Sequence, residues 1–432
     1  MNRSLLLPLV ALLLIPACSS SSPATTGSGG SSSATTTTGA TGTGGAGGAS
    51  STTTTTTSSS STGTGGGAPA CSRPPAPADA LRKLIVSHPY DPDGNPAPLW
   101  EVFDLPSNGQ LAKTGKTFTM GKAFHDTITF TPDGKVGIAV QDDGSLGVFR
   151  VEDSGDITVV HQAFEGSFYA DSIVIDPDGN HAIVLDGNWQ NNGGGLYRIT
   201  IGCDGTLTDE GQIAPSKNAY GMVRLASNPD HAVLAAPEVL DSTPANNAHL
   251  LDLSGPSPVL LGGAPAFPDK EAIVSSVART PDDLFVLIAD YSEFASVPNR
   301  IAVVGVGPNG LAPVQTLSPL NDPFAVVTSP YGNAAIVVSG YGNAILRLAY
   351  DPTSSAAPFT NKGPIPYNGK KPALPGSAVL VERGALRGHV YVAEDVGVRQ
   401  VRFEPDGNVT DLGAFILGPG LETIVGAIGV QP

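Results

Sequence analysis

Cysteine is scarce in this 432-residue chain, with three residues at Cys18, Cys71 and Cys203. None of them forms a CxxC, and no HExxH or similarly tight spacing occurs, so no transition-metal motif is present. Basic residues are also few: 23 Lys and Arg stand against 39 Asp and Glu, for a formal charge of −16. They gather into no patch or stripe, which argues against nucleic acid as a partner. The acidic balance is a common route to solubility and says nothing about a substrate. The apolar run Leu5–Ile15, broken by Pro8, is too short to span a bilayer as a mature helix.

The N-terminus reads as an address. Arg3 gives a positive start, the short apolar run follows, and Ile15-Pro16-Ala17-Cys18 sets a small residue before a cysteine. That is the pattern of a secretory signal peptide over residues 1–18. Cys directly after Ala resembles a bacterial lipobox, which implies that Cys18 is lipidated and becomes the mature N-terminus. The alternative is ordinary cleavage nearby. Residues 19–67 contain only Ser, Thr, Gly, Ala and Pro23, none of which can build a core. Residues 19–70 therefore read as a flexible tether, spanning roughly 35–42 Å. A cell-envelope location follows, lipid-anchored at the outer membrane or cell surface. If Cys18 carries lipid, Cys71 and Cys203 remain as an even pair in an oxidising compartment, and a disulfide is expected; the alternative is two separate thiols.

Beyond the tether one strand-turn-strand unit recurs. Its turns read TPDG (131–134), DPDG (176–179), NPD (228–230), TPDD (280–283), SPYGN (329–333) and a diverged ERGALRG (382–388). From Pro132 to Pro177, Pro229, Pro281, Pro330 and Arg383 the spacing stays near fifty residues. In an alternating apolar/polar sequence, that period marks a blade-built β fold. In residues 124–165, strands at Thr127–Phe130, Val136–Val140, Leu146–Val151 and Ile157–Val160 are separated by Pro-Asp-Gly and Asp-Asp-Gly turns, which makes one four-stranded antiparallel blade. Four residues before each anchor stand Ile128, Ile173, Leu225, Val277, Val326 and Val379, all apolar, as a strand packed between blades requires.

The ends complete the count. Residues 84–118 carry three strands with none before them, and residues 421–432 carry one, with Ile428 in the shared apolar slot. Pairing the C-terminal strand with the N-terminal three closes a seven-bladed β-propeller over residues 71–432 and removes free edges.

The rows TPDGKVGIAV, DPDGNHAIVL, TPDDLFVLIA and SPYGNAAIVV resemble the lactonase-type, or YVTN-like, seven-bladed propellers of bacteria. No Trp-Asp ends a third strand, unlike WD-repeat propellers. The resemblance covers residues 81–432 and implies the propeller fold. It admits lactone hydrolysis but supplies no motif onto which catalytic residues could be carried.

Two repeat slots share the end of the blades where inner strands begin and second strands end. Six residues before the anchor stand Asp126 and Asp171, with His125 beside Asp126 and Tyr169 and Tyr220 preceding their own strands. The other slot holds Asp142, Asp186, Glu238, Asp290 and Glu394. The loop Asp186–Gly195 adds Trp189 among amides and glycines. Paired carboxylates here could hold Ca²⁺ through oxygen ligands, or split their pKa values for acid–base work with His125 as proton carrier. The competing reading is that strand-end acids cap turns. Two functions follow: a monomeric binding or scaffold module for a protein or small ligand, or a lactone hydrolase.

Overall fold

A computed structural model describes residues 71–123, 127–187, 194–243, 245–267, 274–290, 299–308, 310–318, 320–395, 397–417 and 423–432. The leader, the tether and Cys18 lie outside them. Among the described residues the chain is built of β-strands, with one short 3-10 turn at Gly384–Leu386. The strands form seven antiparallel sheets. Six run in chain order from inner to outer strand. Blade 2 uses Thr129–Phe130, Val136–Val140, Leu146–Val151 and Ile157–Phe164, and blades 3 to 7 follow in chain order with inner strands Ala170–Ile175, Gly221–Arg224, Val274–Arg279, Pro323–Thr328 and Ala378–Leu380. Blade 1 is the split one: Ile428–Val430 is its inner strand, followed by Arg82–Tyr90, Pro96–Leu105 and Ala112–Thr119. The fold is a seven-bladed β-propeller with four-stranded blades, closed between the chain ends.

Burial follows from this stacking. The second strands Val136–Val140, Phe285–Asp290, Ala334–Ser339 and His389–Glu394 are buried at every residue. Neighbouring blades cover both of their faces, so they read as continuous apolar runs instead of alternating ones. The outer strand Ala112–Thr119 alternates between exposed and half-buried side chains, as a strand with one wet face does. Among the described residues the core divides into seven apolar clusters, one at each interface between adjacent blades. The closing interface joins Leu84, Val86 and Ile428 of blade 1 to Val381, Tyr391 and Val398 of blade 7.

The inner turns repeat their chemistry. Thr131 Oγ1 donates to Asp133 Oδ1 at 2.6 Å, and Thr280 Oγ1 donates to Asp282 Oδ1 at 2.6 Å. Gly134 and Gly179 take the left-handed φ values of 69° and 73° that these turns need. Blade 5 has Asp283 at that place, with φ 55°. Its carboxylate reaches out of the turn to the Ser227 N–H of blade 4 and to Arg279 at 3.1 Å, which holds the strained residue in position.

Pairing register corrects two of the expected repeat slots. Ile173 pairs with Val184 in blade 3, and the equivalent pair in blade 4 is Met222 with Leu234, not a pair containing Leu225. The NPD turn of blade 4 is the cause: Pro229 lies four residues past the last inner residue, Leu225, whereas Pro177 directly follows Asp176. In blade 7 the pair is Ala378 with Val392, one residue before Val379, because Arg383 lies two residues past Val381, the turn residue bonded to His389, whereas Pro177 directly follows Asp176.

Candidate functional site

Counting two residues outward from each register pair gives two aligned rings at one end of the blades. Among the described residues the inner-strand ring comprises Gly426, Asp171, Tyr220, Ser275, Phe324 and Gly376. The second-strand ring comprises His88, Gln141, Asp186, Ala236, Asp290, Ser339 and Glu394, all buried. Two expected acids change place. Gln141, not Asp142, occupies the ring of blade 2. Asp142 sits one residue beyond and pairs with Lys122 at 2.9 Å. Ala236, not Glu238, occupies it in blade 4. Glu238 belongs instead to a two-residue strand, Glu238–Val239, that extends blade 3 along Leu207–Lys217.

In five blades the second-strand position is bonded to a residue of the third strand or of the turn that leads into it. His88 Nε2 lies 3.3 Å from Glu101 Oε2, and its Nδ1 lies 3.1 Å from Thr423 Oγ1. Ser145 Oγ donates to Gln141 Oε1 at 2.8 Å. His249 Nε2 meets the Ala236 carbonyl at 2.9 Å. Arg300 Nε donates to Asp290 Oδ2 at 3.0 Å. Arg399 bridges Glu394 and Asp411, with 2.7 Å to Asp411. These bonds are structural: they satisfy polar groups that the stacked blades bury.

Blade 3 differs. The residue opposite Asp186 is Gly195, which brings no side chain. Asp171 comes from the other side. It is the extra residue of a β-bulge, since Ala170 pairs with Asp186 and Ser172 with Leu185. A bulge re-aims a side chain and recurs near functional sites. Ser275 and Phe324 are the bulged residues of their own blades. Asp171 accepts a backbone hydrogen bond from Gly187 and faces the charge of Asp186. Burial, then Asp186, pushes its carboxyl up to about 7. A Cβ on Gly187 would fall inside that carboxylate, so only glycine fits there. Tyr220, in the same ring of blade 4, lies close enough to Asp171 that burial and that charge push its phenol up to about 12. Tyr169 is raised by burial and then by Asp171, and its hydroxyl donates to the Asp142 carbonyl at 2.8 Å.

The structure therefore brings together Asp171, Tyr220 and Asp186, all three singled out in the sequence. Asp126, His125 and Trp189 lie outside the described residues. Cys71 and Cys203 are joined in a disulfide, with Cα atoms 5.4 Å apart. Asp176, Asp178 and His181 gather within 4.8 Å at the other end of blade 3, where Arg224 already pairs with Asp176.

Solved structures share this fold. The periplasmic gluconolactonase PpgL of Pseudomonas aeruginosa aligns over 82% of this chain and 99% of its own, with TM-score 0.57 and 16% identity. The two chains share a fold. A Lactobacillus plantarum protein aligns with TM-score 0.59 and 11% identity over 82% of this chain and all of its own. A proposed 6-phosphogluconolactonase from Bacteroides uniformis aligns with TM-score 0.57 and 11% identity, over 81% of this chain and 99% of its own. No family model matches the sequence, and no curated protein matches it. At these identities the likeness concerns the fold alone.

Proposed function

We propose that this protein is an envelope-anchored propeller that binds a small ligand where Asp171 and Asp186 meet. The observation that carries this reading is the juxtaposition of the two carboxylates, with Asp171 pushed up to about 7 against Asp186. Two carboxylates held this close suit a ligand that offers a cation or a proton donor. Ca²⁺ is the simplest such probe. The signal peptide, lipidated Cys18 and tether support an anchor in a membrane, with the propeller acting as a monomer. A Cys18→Ser variant that keeps its fatty-acid label would remove that anchor.

Lactone hydrolysis is the second reading. A carboxyl that holds its proton near neutral pH beside an ionised partner has the properties of a general acid–base pair. The likeness to a gluconolactonase lends support through fold only.

Calorimetry with Ca²⁺, alongside a lactone-hydrolysis assay, decides between them. The binding reading expects Ca²⁺ to bind and to raise the melting temperature by mass action, with both effects lost in Asp171→Asn. Hydrolysis that disappears in Asp171→Asn without any Ca²⁺ response would favour the enzyme. Neither response in wild type would remove the site.

A further inference from the structure

The segment between Cys71 and Arg82 forms no regular strand until its end, yet it touches four blades at the end opposite the candidate site. Cys71 is bonded to Cys203 in the outer turn of blade 3, and its N–H donates to Asn180 Oδ1 at 2.9 Å. Arg73 is buried and donates to the Gly202 carbonyl at 2.6 Å, with Asp133 of blade 2 at 3.8 Å. Ala76 N–H donates to the Pro132 carbonyl of blade 2 at 3.0 Å. The Asp79 carboxylate accepts from the Ala385 N–H of blade 7 at 3.3 Å. A Cβ on Gly384 would strike the Ala78 carbonyl, which shows how closely segment and blade 7 approach. Arg82 then ties three ends together: it donates to Ala78 at 3.1 Å, to Arg383 of blade 7 at 3.2 Å, and to Gln431, beside the closing strand, at 3.1 Å.

Almost nothing apolar holds this strap down. Ser72, Pro74, Pro75, Pro77, Ala78, Asp79 and Ala80 are exposed, and Ala76 is half-buried. Its noncovalent hold is a handful of polar bonds, the profile of an element that opens locally. The disulfide makes those bonds intramolecular over a short reach. The closing strand it spans is short: Ile428–Val430 is three residues long.

We propose that the strap is a redox-controlled clasp on the ring, holding blades 3, 2, 1 and 7 together across the closure while Cys71–Cys203 is intact. Cys203 is exposed, so a small dithiol reaches it. Two electrons and two protons pass from the dithiol to the disulfide. The products are two cysteine thiols and the reagent's own cyclic disulfide. The freed strap leaves its bonds to Asn180, Pro132 and Ala385, and closure rests on the three-residue strand, the Ser87 and Gln431 bonds beside it, and the apolar interface of blades 1 and 7.

The test is native-state hydrogen exchange of the full chain, before and after dithiothreitol, resolved by mass spectrometry. Reduction is expected to strip protection from Ala76 and Ala385 and to speed exchange at 428–430 at least tenfold, with 285–290 unchanged. The Cys71→Ser/Cys203→Ser variant should reproduce the reduced pattern. Unchanged exchange at 428–430 after complete reduction would overturn the clasp. So would equal acceleration in every blade, which would make the disulfide a global stabiliser. Should the double variant fail to fold, the wild-type reduction decides alone.

Discussion

Asp171 and Gly187 stand in such close contact that the glycine's missing side chain makes room for the carboxylate. Gly187→Ala should therefore displace Asp171 from its place beside Asp186. Overpacking of this kind costs about 1–3 kcal/mol, read as a lower midpoint in urea unfolding. The companion change Asp171→Gly should relieve most of that cost when combined with Gly187→Ala. Additive costs in the double variant would show that the two residues do not contact.

Asp171 also sets a pH dependence. Its carboxyl is raised from the ordinary 3.8 to about 7, so the folded protein holds a proton that the unfolded chain has lost. The stabilising contribution is complete below pH 3.8 and is lost as pH rises through about 7. Asp171→Asn keeps a neutral group at every pH. Thermal melts should show the variant gaining on wild type between pH 4 and pH 8, with no relative gain at the acid end. A constant difference across that range would contradict the shift.

Asp290 and Arg300 test the structural reading of the ring. Their side chains are 0% and 9% exposed. Arg300→Met removes the ion-pair partner of a buried carboxylate, which typically costs about 3–5 kcal/mol. Asp290→Leu together with Arg300→Met should cost less than Arg300→Met alone, because no charge is left behind. Denaturant unfolding of the three variants measures both.

Ile428 and Val86 lie at opposite ends of the chain and pair in one sheet. Deleting 426–432 opens the ring at an interface lined by buried Leu84, Val86 and Tyr391. The melting temperature should fall by roughly 10 °C or more. Deleting 19–67, which supplies no core residue, should leave it unchanged. Matching losses in both truncations would contradict closure between the ends.

The propeller was legible because its physics is local and repeated. Pro-Asp-Gly turns and buried second strands recur every fifty residues, and three N-terminal strands left one to be supplied by Ile428–Val430. The alignment of site slots was less legible. Turn residues served as anchors, but Pro229 sits deeper in its turn than Pro177 does, so spacing placed Tyr220 ahead of its strand and not in the slot of Asp171. Pairing register, not sequence spacing, fixes which side chains share a ring. Asp186 was visible as a strand-end acid, but its approach to Asp171 depends on a bulge, for which the sequence carries no clear mark. The ion pairs of Asp290 and Glu394 could have been suspected from Arg300 and Arg399 at the start of the third strands.

The central claim is that Asp171 and Asp186 form one coupled pair at the end of blade 3. Carbon-13 NMR of the Asp171 carboxyl, selectively labelled and titrated from pH 3 to 9, tests it most directly. The expected midpoint is about 7, moving down toward the ordinary aspartate range in Asp186→Asn. A wild-type midpoint near 4, unmoved by Asp186→Asn, would contradict the pairing.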